Sequence, residues 1–268
     1  MPTPSILAHF QELDDPRVSP ATRHQLLGIV AIAVCAVICG ADTWVEVEAF
    51  GRAKEAWLRT FLGLPHGIPS HDTFGRVFAA LDPAQFEAGF RSWVAAVVDL
   101  TAGTVVAVDG KTLRRSHDAA QGKAALVLVS AWAEANRLTL GQVAVAPGSN
   151  EIPAIPVLLQ QLVLDGCLVA VAAIGCRTAI ATQIASQGAD YVLALKENQP
   201  TLQEAVAIVF QEGQADGFAG LGHDYRRSVE KNHGRLEVRQ VWTVEDPAVI
   251  AYLDPDGAWP KLRSVAMV

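Results

Sequence analysis

Along the first hundred residues the apolar positions recur every three or four places, the spacing of helices that bury one stripe. Ser5–Phe10 shows this pattern and ends at Asp14-Asp15-Pro16, a breaker. Ser19-Pro20 supplies a cap with proline in the first turn, and Leu26 to Ala41 is then apolar almost throughout. Thr43 caps a segment in which Trp44, Val47, Phe50, Trp57, Phe61 and Leu62 keep helical spacing until Gly63 and Pro65. A short helix opens at Pro69-Ser70-His71-Asp72 and carries Phe74, Val77, Phe78 and Leu81. Another opens at Asp82-Pro83, with Phe86, Phe90, Trp93, Val94 and Val97 on one side.

Near Ala102-Gly103 the pattern changes to β-branched runs separated by helical ones. The runs predict strands at Thr104–Val108, Ala125–Trp132, Leu138–Ala146, Leu168–Ala172 and Tyr191–Leu195, and helices at Ile155–Leu162, Thr178–Gln187 and Thr201–Phe210. Asn136-Arg137 reads as a hairpin turn. A meander of three strands followed by two βα units is an α/β arrangement. The glycine-rich stretch Glu212–Gly222 reads as a mobile loop, and Arg235–Thr243 and Leu262–Val268 read as strands. The chain therefore divides into a helical region, 1–100, and an α/β region, 101–268.

Composition narrows the options. With 51% hydrophobic and 18% charged residues, the chain is not disordered over most of its length. A formal net charge of -7 argues against a uniformly basic nucleic-acid coat, though not against a local basic groove. Through Leu100, seven Lys/Arg stand against eleven Asp/Glu. That is a poor footprint for duplex binding unless His71 and Arg76 face a groove. Leu26–Ala41 is shorter than the ~20 residues of a spanning helix, so a buried core helix, no membrane and a cytoplasmic protein are expected. Cys35, Cys39, Cys167 and Cys176 lack zinc-ligand spacing and read as buried thiols in a reducing compartment.

Several segments carry chemistry. Val108-Asp109-Gly110-Lys111 ends the first strand and is followed by Arg114 and Arg115. The carboxylate can ligate a hard divalent cation, the glycine admits close approach of backbone or phosphate, and the cations can neutralise an anion. A strand followed by a solvated turn explains the same residues. Ser149-Asn150-Glu151 suits a helix cap, or places Asn150 and Glu151 at the same sheet edge as Asp109. Cys176 beside Arg177 is a nucleophile only if a base is near; a buried structural thiol is the simpler reading. Lys196, in Lys196-Glu197-Asn198-Gln199-Pro200, stands at a strand end as a phosphate ligand or in a solvated loop. Arg226-Arg227, Lys231, His233, Arg235 and Arg239 form the densest cationic cluster, diluted by Asp224, Glu230 and Glu237.

In series these segments resemble the H-repeat-associated proteins and the ISAs-type insertion-sequence DDE transposases. The resemblance rests on Phe10–Arg17, Gly67–Val77, Ala107–His117, Val129–Trp132, Gly141–Val143, Ser149–Pro156, Ile174–Cys176, Ala189–Gln199 and His233–Glu237, in family order across nearly the whole chain. It implies a helical N-terminal region, a ribonuclease-H-like catalytic core and magnesium-dependent DNA cleavage and strand transfer. By resemblance Asp109 is the first catalytic carboxylate and a metal ligand. Lys111, Arg114, Arg115 and Lys196 lie near DNA phosphates, and the hairpin with His233, Arg235 and Arg239 lies over DNA. DNA at insertion-element ends is the expected partner, and a homo-oligomer is compatible.

Two departures from the family pattern matter. Ala172 stands where the family carries its second aspartate, and a methyl group cannot ligate magnesium. The third acidic residue belongs to a segment of the type His-Trp-x-Ile-Glu-Asn that residues 1–268 do not contain, so the core is expected to be C-terminally truncated; Glu237 is no substitute. The expectation is a transposase-family chain that is catalytically defective. The alternatives are a non-enzymatic DNA-binding remnant, a degraded pseudogene product or, more distantly, a hydrolase using Cys176.

Overall fold

In the computed structural model, residues 5–17, 22–98, 100, 102–113, 116, 124–232 and 235–268 are described, with backbone only at 232 and 235. The chain forms two compact units, residues 1–99 and 100–268.

The described residues of the first unit form helices α1 (Ile6–His9), α2 (Leu26–Ile38), α3 (Trp44–Ala53), α4 (Glu55–Leu58), α5 (His71–Ala80) and α6 (Pro83–Val97). Helix α2 is buried on almost every side and forms the centre of a core with Phe10, Leu58 and Phe74. Its thirteen residues span about 20 Å, well short of a bilayer. Among the described residues no helix is long and apolar enough to cross a membrane. The expected cap at Ser19-Pro20 needs correction. Those residues lie outside the described ones, and α2 starts at Leu26 behind Gln25, with no side-chain cap. Cys39, expected to be buried, is exposed just past the end of α2, and Cys35 is half-buried.

Thr43 does cap α3, in a reciprocal box with Glu46. Asp82 accepts hydrogen bonds from the amides of Ala84 and Gln85 ahead of α6. The periodic run from Trp44 to Leu62 is not one helix, because it breaks at Lys54 into α3 and α4. Trp57 and Phe61 therefore pack edge to face on an exposed surface rather than in the core.

Glu48 of α3 ties that helix to the start of α5. Its carboxylate accepts from the backbone N–H of His71 at 2.7 Å, lies 2.8 Å from the His71 ring Nδ1, and takes the Arg52 guanidinium at 2.7 Å. The α5 amide, the imidazole and Arg52, in that order, pull its pKa down from 4.5 to about 2. The folded pKa is depressed, so this stabilisation is complete above about 4.5 and is lost as pH falls towards 2. Melting temperatures measured between pH 6 and 2 should fall less steeply below pH 4.5 in Glu48→Gln than in wild type.

In the second unit, β1 (Val105–Thr112), β2 (Val127–Ala133), β3 (Leu138–Ala144), β4 (Leu168–Val171) and β5 (Asp190–Leu193) make one sheet in the order β3-β2-β1-β4-β5. The first three strands run antiparallel, and β4 and β5 run parallel to β1. This is the expected meander followed by two βα units. The β2–β3 connection is a four-residue turn, Glu134 to Arg137, with Arg137 at φ 52° and a bulge at Ala131/Trp132; a two-residue turn at Asn136-Arg137 is too short to describe it. Helices α7 (Ala154–Gln160) and α8 (Thr178–Ser186) cover one face, packing on β2, β3 and β5. There Val106, Val108, Val129, Ala131, Val169 and Val171 are buried beside Ile155, Leu158, Ile180 and Ile184.

Helix α9 (Pro200–Asp216) precedes a three-stranded sheet of β6 (His223–Asn232), β7 (Arg235–Val244) and β8 (Val265–Met267), with α10 (Pro247–Leu253) between β7 and β8. The mobile loop expected at Glu212–Gly222 is contradicted. Helix α9 runs to Asp216 and ends at the left-handed Gly217, and Phe218 folds back over Gly213 and Phe210 into a core with Val244. Glycine here marks close packing: a Cβ on Gly213 would stand 2.5 Å from the Phe218 ring. Gly213→Ala should therefore lower the urea midpoint, by about 1–3 kcal/mol of overpacking, and an unchanged midpoint would show that the ring can move aside.

Candidate functional site

Asp109 lies within β1, three residues before its end, because the strand runs past Val108 to Thr112. Alternation turns Val106 and Val108 into the core beneath α7 and α8, and Ala107, Asp109 and Lys111 to the opposite, open face. Both Asp109 and Lys111 are exposed. Across β2 the partner of Asp109 is Ser130, half-buried on the same face.

The other neighbour of β1 decides what Asp109 stands beside. The last β1–β4 pair is Val108 with Val171, and the Ala172 N–H reaches back to the Val108 carbonyl at 3.4 Å. Ala172 keeps an extended backbone, so it follows Val171 as Asp109 follows Val108. Residues paired across parallel strands share a face, at a spacing of about 4.8 Å. Positions 109 and 172 are therefore side by side on the open face, one carrying a carboxylate and the other a methyl.

The backbone after Ala172 is held in place. A 3-10 turn, Ala173–Gly175, follows, and Gly175 has Val171 and Ile155 side chains where a Cβ would project. The Asn198 side-chain amide donates to the Ala173 carbonyl at 2.7 Å, and that of Gln199 donates to the Cys176 carbonyl at 3.1 Å. These clamping residues escaped the sequence reading, which singled out Lys196 in the same loop. Lys196 is exposed. Two amide side chains just before Pro200, at a strand end, were the available signal.

Glu151 also reaches the β1 strand. Its side chain lies across Gly110, on the helix-covered side opposite Asp109; a Cβ at position 110 would stand 2.5 Å from its Cγ. What approaches closely over Gly110 in this structure is a side chain of the same protein. Asn150 does not cap α7: its Oδ1 accepts from the Ile152 amide at 3.0 Å, and the helix starts at Ala154 behind Pro153.

Arg114, Arg115 and His233 lie outside the described residues, and Arg235 begins β7. Arg239 is not a free cation: it donates to Glu237 at 2.8 Å and lies 3.7 Å from Glu230. His71 is tied to Glu48, while Arg76 is exposed.

Comparison with known proteins shows the family of the chain. The family model described as "Transposase DDE domain" matches residues 101–251, and one described as "DDE_Tnp_1-associated" matches residues 7–94. The chain belongs to the DDE transposase family. Such a domain implies a ribonuclease-H-like fold, and the mixed five-stranded sheet agrees with it. The "Uncharacterized protein in dhlA 3'region" of Xanthobacter autotrophicus is 46% identical over 97% of this chain and 86% of that protein. The "Putative transposase YncI" of Escherichia coli is 39% identical over 88% of this chain, which spans 94% of the K12 protein and 60% of the O157:H7 one. The "H repeat-associated putative transposase YbfD" of E. coli K12 is 35% identical over 87% of this chain and 91% of its own length.

The site offers no thiol chemistry. Cys176 is buried, and burial raises its pKa, which disfavours the thiolate a nucleophile needs. A maleimide at pH 8 should label exposed Cys39 in the native protein and leave Cys176 unmodified until denaturant is added; rapid native labelling of Cys176 would disprove its burial.

Proposed function

We propose that this DDE transposase family chain binds insertion-element DNA, and that its own phosphoryl-transfer site is incomplete. The observation that carries the second half is the juxtaposition of Asp109 with Ala172. Two metal ions bridged by carboxylates on adjacent strand ends would stabilise the attacking and leaving oxygens of an in-line displacement. Positions 109 and 172 are neighbours on the open face, yet together they supply one carboxylate. Alanine offers no side-chain oxygen, so these residues do not fit a two-magnesium set. The loss is one of donor chemistry, because the backbone that would carry the second ligand remains clamped by Asn198 and Gln199.

Magnitude supports calling this a defect. Metal stabilisation of such a transition state is worth several kcal/mol, and each ~1.4 kcal/mol is tenfold in rate. What the remaining residues do is bind. Lys111 on the Asp109 face and Lys196 beyond β5 are exposed cations at the strand ends that flank position 172. Together with Arg114 and Arg115 they would contact DNA phosphates as point charges.

In a magnesium-dependent nicking assay on element-end DNA, wild type is expected to give no cleavage above background. Robust nicking that Asp109→Ala abolishes would overturn the proposal. Ala172→Asp restores the paired carboxylates and should raise Mn2+ affinity by roughly tenfold or more in calorimetry, since even indirect ligand support is worth about that much. Asp109→Ala in that background should remove the gain.

A further inference from the structure

We infer that the protein takes up duplex DNA on the face of the β6–β7 ribbon that bears Arg227 and Lys231, and not on the face that bears Arg239. This rests on the DNA-binding reading above and names the surface responsible.

Directly opposed residues of an antiparallel ribbon share a face, and successive pairs alternate. The register puts Arg227 opposite Gln240, Val229 opposite Val238 and Lys231 opposite Leu236 on one face. The pairs Arg226–Val241, Ser228–Arg239 and Glu230–Glu237 fall on the other. Charge is segregated accordingly. On the second face Arg226 and Arg239 stand with Asp224, Glu230 and Glu237, and Arg239 is engaged by both glutamates. Among the described side chains the first face has two cations and no carboxylate, and neither Arg227 nor Lys231 makes an ion pair. Val244 at the root of this face is buried, but its outer apolar members are open: Val229 is 47% exposed, Val238 48% and Leu236 70%.

An apolar protein partner on this face would have to desolvate two unpaired cations, a costly burial. A phosphate backbone neutralises them instead and gains from counterion release. The dimensions agree as well. Beyond the part of β7 that pairs with β8, seven residues per strand make a two-stranded ribbon about 23 Å long, roughly two thirds of a turn of B-DNA, and such a ribbon fits the ~12 Å major groove. Arg227 and Lys231, four residues apart, are separated by about 13 Å along the ribbon and can reach phosphates flanking the groove, while the valines and leucine meet base edges and thymine methyls. The base of the ribbon is anchored, since Val244 is fully buried and the His223 ring stacks on Phe218.

The test is fluorescence anisotropy of the full chain with a labelled duplex across a salt series. Arg227→Ala/Lys231→Ala should bind roughly tenfold or more weakly and lower the log–log salt slope by about 2, whereas Arg239→Ala should stay within about twofold. If wild type binds but the double variant matches it, or Arg239→Ala loses as much, this inference fails and the DNA-binding reading stands. If wild type does not bind at low salt, both fail. Val229→Glu is a second probe: it should weaken duplex binding through repulsion of phosphate. If it instead dissociates a wild-type dimer in light scattering and leaves duplex binding intact, the face serves a second copy and the inference is overturned.

Discussion

The parallel pairing of β1 with β4 is the constraint on which the site depends. Val106 and Val108 on β1, and Val169 and Val171 on β4, are driven into one core beneath α7 and α8. Burial of those four valines is worth several kcal/mol in all, at about 25 cal/mol per Å², and a one-residue slip of either strand would send its pair to the other face. Because the side-chain period is two, fixing the valines inward fixes Asp109 and Ala172 outward, next to each other. The site geometry is thus a by-product of core packing. Position 172 faces away from that packing, so the core does not dictate whether it carries a carboxylate or a methyl.

The same logic governs the distal sheet. Phe210, Phe218 and Val244 form a small core that ties the end of α9 to the base of the β6–β7 ribbon. Among the described residues nothing comparable packs on the first face of the ribbon's outer half, where Val229, Val238 and Leu236 stay exposed. The ribbon thus has a packed root and an outer half whose first face carries Arg227 and Lys231 beside exposed apolar side chains.

Much of this was legible beforehand where the signal is local. Asp-Pro at 82–83 and Thr43 with Glu46 three residues on encode helix starts through short-range hydrogen bonds, and the structure contains both caps. Helix α10 carries the same Asp-Pro signal at 246–247 and could have been read from it. The misses share a cause. Ser19-Pro20 looked like a cap but the helix starts six residues later, and Glu212–Gly222 looked like a loop but packs as a helix end. Each depends on what lies across space from the residue, which local composition does not report.

By itself the sequence determined the element types, the α/β class, the family resemblance and the chemical fact that position 172 has no carboxylate, because these depend on residue identity and short-range periodicity. Only the tertiary structure decided that Asp109 and Ala172 are neighbours, that Asn198 and Gln199 clamp the turn after Ala172, and which ribbon face keeps its charge unpaired. Those relations are set by strand register and cross-strand pairing between residues far apart in the chain, and register is fixed by the packing of the core as a whole.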